Sequence, residues 1–72
     1  MQRLQHRTIL GETIRAYRKQ AGLTQEKLAE RADLHHNFIG EVERGRMECS
    51  ITSLLKIATA LGVRVADLVR KI

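Results

Sequence analysis

Residues 24–45, TQEKLAERADLHHNFIGEVERG, decide how this chain folds. Their pattern predicts a helix, a tight three-residue turn and a second helix. Thr24 is a good N-cap, because its hydroxyl can accept from an orphan amide of the first turn. Glu26 then stands near the positive end of the helix dipole. Leu28, Ala29 and Ala32 fall on one apolar face of that helix. Asp33 sits where the chain must turn, and aspartate enters the left-handed region more readily than most side chains. Beyond it, Leu34, Phe38, Ile39 and Val42 make the apolar face of the second helix, and Gly45 supplies a C′ stop. With His35 as N-cap, Leu34 and Ile39 take the spacing of a hydrophobic staple.

Two short helices joined this tightly cross steeply and meet only over a small residue, here Ala29. The predicted unit is a helix-turn-helix whose second helix keeps its far face free for a DNA major groove. That face carries His36, Asn37, Gly40 and Glu41, all polar or small. The blocks GLTQEKLAERADL (22–34), FIGEVERG (38–45) and LLKIATALGV (54–63) resemble the Xre/Cro-like helix-turn-helix family of prokaryotic transcription regulators. The resemblance spans about residues 10 to 68 and is strongest toward the controller proteins of restriction–modification systems. It implies an all-α, five-helix, lambda-repressor-like DNA-binding domain with the helix-turn-helix at its second and third helices. Phage repressors and antitoxins share most of these residues.

Several site residues come from the resemblance alone. Gln25 takes the position whose side chain and amide meet a phosphate in the family. His36 and Asn37 take positions that reach base edges; asparagine suits a bidentate bond to adenine, and a neutral histidine can donate or accept at a purine N7. Phe38 replaces a frequent tyrosine and keeps its packing without the hydroxyl. Gly40 is expected to let the backbone approach the groove closely. Glu41 either accepts from a cytosine amino group or stays in solvent. His35, Arg44, Arg46 and Ser50 complete the expected DNA-binding set, Ser50 also serving as the N-cap of the next helix. Arg18 is expected to pair with Glu43, tying the first helix to the end of the recognition helix.

Outside that stretch the chain is short, and its composition narrows the alternatives. Seventy-two residues make one domain with a small core. Proline is absent and aromatics number two, one Tyr and one Phe, with apolar residues at helical spacing. The lone Cys49 has no internal disulfide partner, which points to a reducing cytoplasm. No apolar run approaches membrane-spanning length, and the opening MQRLQHRT lacks a signal-peptide hydrophobic region. The net charge of +5 favours a polyanionic partner, namely double-stranded DNA. The charge is unevenly spread: residues 23–48 carry four Lys/Arg and six acids, a net of −2. Spacing, not charge, singles out the helix-turn-helix.

Residues 1–7 are expected to form a flexible basic N-terminus ahead of a domain over 8–72, with Arg3 and Arg7 able to reach a phosphate but read first as a solvated tail. Thr8 is placed to cap the first helix, whose inner stripe is Leu10, Ile14, Tyr17 and Ala21, with Gly22 as its stop. The helix predicted over 51–61 bears Ile51, Leu54, Leu55, Ile57, Ala58 and Leu61, which is more than one face. A last short helix follows Gly62, and there Arg64 replaces the family's usual Ser or Asp cap. So much apolar surface predicts a homodimer through the two C-terminal helices, with Ile51, Leu55, Val65 and Leu68 at the contact.

Metal and catalysis find little support. His35 and His36 are adjacent, so on a helix they point about 100° apart, and no ligand pair has metal-binding spacing. There is no Gly-rich phosphate loop, no Ser/His/Asp set and no cofactor or small-molecule motif. Two other readings share this fold. An antitoxin would need its toxin to bind the domain itself, since no segment follows residue 72. A protein-interaction adaptor is favoured only by the acidic middle segment.

Overall fold

Five side chains, one from each of five helices, are sealed completely from solvent: Ile14, Leu28, Ile39, Ile57 and Leu68. Burying a side chain of this size contributes about 1.5–3 kcal/mol, so these five set the packing of the whole chain. The helices, in a computed structural model that describes residues 5–72, are α1 (Gln5–Gln20), α2 (Gln25–Ala32), α3 (His36–Glu43), α4 (Ile51–Leu61) and α5 (Val65–Val69). No strand occurs among the described residues. Helix α2 packs on both α3 and α4, while α1 lies across α3 and reaches α5.

The helix ends follow from the residues that sit at them. Thr24 caps α2 by accepting from the Lys27 amide at 3.0 Å. Asp33 closes that helix at φ 57°, ψ 48°, and it is the one described non-glycine residue with positive φ. The Leu34 amide returns to the Ala29 carbonyl at 2.9 Å, which completes the tight turn. Ala29 is 2 % exposed at the helix crossing, as its size requires. At the far end of α3, the Arg46 amide reaches the Glu41 carbonyl and the Gly45 amide that of Val42, with Gly45 at φ 75°. This is a Schellman close around a left-handed glycine. Ser50 caps α4 through the Ser53 amide at 3.0 Å. Arg64 gives α5 no side-chain cap; instead Asp67 reaches back to accept from the Arg64 amide at 2.9 Å. The missing cap is thus offset from inside the helix, which is only five residues long.

Three expectations need correction. Residues 5–7 belong to α1, so the helix runs ahead of Thr8 and that residue is not its cap. Arg3 lies outside the described residues. Ala21 is exposed in the turn after α1, and its place in the core is taken by the buried Leu23, whose amide folds back onto the Arg18 carbonyl. Leu68 is buried in the chain's own core, at 0 % exposure, and therefore has no surface to offer a partner. On α4, Leu54, Ile57 and Ala58 are hidden, but Ile51 and Leu55 stay 69 % and 53 % exposed.

One determinant of the packing is a glycine. A Cβ on Gly11 would stand 2.4 Å from the Val42 carbonyl oxygen and 2.5 Å from that of Glu43. Helix α1 therefore rests directly on the last turn of α3, with no room for any side chain between. Gly45 meets Thr8 in the same way, a Cβ there falling 2.9 Å from Thr8 Oγ1.

Candidate nucleic-acid interface

The face of α3 turned away from the core begins at its N-terminus, where His35, His36 and Asn37 are all exposed. His35 stands just before the helix in extended geometry, and its Nδ1 accepts from the Asn37 amide at 3.1 Å. Because His35 is a cap and not a helical residue, its ring does not diverge from that of His36. The two stack, with centroids 4.7 Å apart and planes at 23°. Phe38 is half-buried and packs against the core, as does Leu34 on the opposite side of the cap. No described group of three His, Cys, Asp or Glu residues is arranged to hold a metal ion.

What fixes α3 is a buried charged network at its other end. Arg18 and Glu43 are each 8 % exposed. The Arg18 Nε donates to Glu43 Oε2 at 2.7 Å and Nη2 to Oε1 at 3.2 Å, a forked pair. The remaining Nη1 donates to the Leu23 carbonyl at 2.8 Å. Gln25 Nε2 also donates to Glu43 Oε1, at 2.9 Å. Three helices are thereby joined at one carboxylate: α1 through Arg18, α2 through Gln25, α3 through Glu43. Each charge has its hydrogen bonds, which is the condition under which a buried pair is tolerated. Gln25 thus spends one side-chain donor inside the protein, on Glu43.

Two further expectations change. Gly40 is buried, not open to a groove: a Cβ there would lie 3.2 Å from an Arg44 guanidinium nitrogen and 3.4 Å from Gln25 Oε1. Its small size makes room for those two side chains. Glu41 is neither a free acceptor nor simply solvated. Its carboxylate is bound by Arg44 at 2.6 Å, with Arg46 at 3.8 Å, and the Arg44 hydrogen bond holds its pKa below the usual carboxylate range. The charge of Glu41 is thus offset by the two arginines that follow it.

The loop after α3 is tied to the start of α1. His6 Nε2 lies 3.2 Å from Glu48 Oε2, and Arg7 Nε 3.3 Å from the same oxygen, though without hydrogen-bond geometry. The His6 hydrogen bond, then Arg7, lowers the Glu48 pKa. Neither contact was foreseen, since His6 and Glu48 are 42 residues apart. Cys49 is half-buried, and burial with the nearby Glu48 carboxylate pushes its thiol pKa up to about 11. A thiol so rarely ionised is a poor nucleophile or metal ligand at neutral pH.

Arg46 and Ser50 are exposed in the segment between α3 and α4, while Ile51 and Leu55 lie on α4 and the half-buried Val65 on α5. A family model described as Helix-turn-helix matches residues 14–68. The chain is 40% identical over 63 residues to the control protein C.BamHI of Bacillus amyloliquefaciens, covering 86% of this chain and 78% of that one. It is also 40% identical over 60 residues to the immunity repressor of Bacillus phage phi105, covering 83% of this chain but only 42% of the repressor. Among solved structures, the restriction–modification controller C.AhdI of Aeromonas hydrophila superposes with a TM-score of 0.85 at 37% identity, covering 86% of this chain and 94% of that one.

Proposed function

This chain belongs to the Xre/Cro-like helix-turn-helix family, and we propose that it is a sequence-specific DNA-binding regulator of transcription of the restriction–modification controller type. The observation that carries this reading is the orientation of α3. Its inner end is held by Arg18, Gln25 and Glu43, while His36 and Asn37 at its outer end are exposed. A recognition helix needs this combination, because base readout depends on a side chain delivered without wobble. In this reading Asn37 and His36 contact base edges. The amide of Gln25, with Arg44, Arg46 and Ser50, contacts phosphates and sets the register. His35 acts through its cap on α3, and Phe38 and Gly40 act by packing. Glu41 serves to orient Arg44.

A homodimer belongs to the same reading. Ile51 and Leu55 leave an apolar patch on α4 that one chain does not cover, and Val65 on α5 is half-buried against the core. A two-fold contact across this patch uses the same residues twice and would set two recognition helices about 34 Å apart, one turn of DNA.

A protein-interaction adaptor of the same fold is the rival, favoured by the net −2 charge of residues 23–48. Titration of a labelled random-sequence duplex at two salt concentrations separates them. A DNA-binding regulator shows affinity that falls steeply with salt. An adaptor shows none at either salt.

A further inference from the structure

The cap of α3 differs in kind from those of α2 and α4. Thr24 and Ser50 accept through hydroxyls, which do so at any pH near neutrality. His35 accepts through Nδ1, from the Asn37 amide at 3.1 Å. A backbone amide brings its own proton to that bond, so Nδ1 is bare, the ring is neutral and its proton sits on Nε2. The same ring stacks on His36, with centroids 4.7 Å apart, a distance at which two imidazolium rings would repel. Charges on the neighbouring elements leave this pair alone. Helix α1 meets the last turn of α3, where Arg18 is committed to Glu43. On α2, Lys27 and Glu30 pair with each other, while Glu26 and Arg31 are exposed, as is Asp33 in the turn that follows. None of these forms an ion pair with either histidine among the described residues.

We propose that His35 is a proton-sensitive positioning residue, which ties the sequence specificity of α3 to the neutral state of its ring. The amide it caps is that of Asn37, so the bond fixes the backbone from which the proposed base-reading side chain starts. Protonation at Nδ1 turns the acceptor into a donor facing another donor. The cap is then lost, the first turn of α3 loosens and the stack under His36 carries a charge. Loss of an N-cap is worth about a fivefold shift in helix stability. The added charge meanwhile favours phosphates on every sequence alike. Acid therefore raises non-specific affinity while it lowers discrimination between sequences. The inference rests on the DNA-binding reading above and adds to it a control by pH.

Two measurements on the full chain test it, each between about pH 7.5 and about pH 5.5, a span that brackets imidazole protonation. The first needs no DNA. The Asn37 amide resonance is expected to move together with the His35 ring resonances as the pH falls. It should stay still in His35→Asn, whose side chain caps without titrating. An Asn37 amide that ignores the titration of His35 overturns the inference. The second compares affinity for a duplex selected from a random pool with affinity for a scrambled one. In acid the ratio of the two should fall about fivefold for the wild type and for His6→Gln, and hold constant in His35→Asn. A constant ratio in the wild type overturns the inference and leaves the DNA-binding reading intact. So does an equal fall in His35→Asn, which would give the effect to His36. A wild type that selects no duplex removes the DNA-binding reading, and the role in specificity with it, whatever the Asn37 amide does.

Discussion

Asn37 and Glu43 show how differently two residues of one helix are used. Asn37 is exposed, its backbone amide donates to the His35 ring, and the proposed function has its side chain read a base. Asn37→Ala should weaken specific binding by about 1–3 kcal/mol and relax preference at one base position. Affinity and preference both equal to wild type, measured on a panel of single-base variants, would show that the side chain points elsewhere. Glu43 is buried and shared by Arg18 and Gln25. Removing one partner strands the other, at a cost of about 3–5 kcal/mol in a dry site. Denaturant melts of Arg18→Met, Glu43→Leu and the double variant should show the double losing much less than the sum of the singles. Additivity within about 0.5 kcal/mol would mean that the pair is not coupled.

Each helix combines a local signal with a packing demand, and the two are tested separately. Gly11 lies inside α1, where alanine would raise helix propensity by about 1 kcal/mol. The alanine Cβ would meet backbone oxygens of α3 at 2.4 and 2.5 Å, and backbone yields poorly. The clash should win, with Gly11→Ala destabilising by about 1–3 kcal/mol in thermal unfolding. A raised melting temperature would contradict the close contact of α1 with α3. The C-terminal helices allow a paired test. Leu55→Asp, on an exposed position, should leave the helical circular dichroism intact and shift sedimentation at micromolar concentration toward monomer. Leu68→Asp places a carboxylate in the core and should instead unfold the chain. A folded Leu68→Asp variant would contradict the burial of α5 against the rest of the domain.

At the scale of the whole molecule, the fold was legible in the sequence because its signals are local. Thr24, Asp33, Gly45, Ser50 and Gly62 act through caps and turns within a few residues of themselves, and all five sit where those rules place them. The pairing of Arg18 with Glu43 came from family resemblance, not from spacing, and the structure has it as a forked pair. What stayed hidden depends on distant contacts. Helical periodicity marks Leu68 as apolar, but only the packed chain tells a core residue from an interface residue. The tie of Gln25 to Glu43, the clasp of His6 and Arg7 on Glu48, and the role of Arg44 in neutralising Glu41 join or orient charges that spacing does not pair. Gly11 did leave a trace, since a glycine inside a helix is costly and calls for a reason.

The most direct test of the central claim, that α3 delivers Asn37 and His36 to base edges in the major groove, is selection of bound duplexes from a random DNA pool by the wild-type chain and by Asn37→Ala. The account predicts enrichment of a pseudo-palindrome whose half-sites lie about one helical turn apart. It also predicts that the variant loses information at one symmetric pair of positions and keeps the rest. An unenriched pool, or a motif identical for the two proteins, would contradict it.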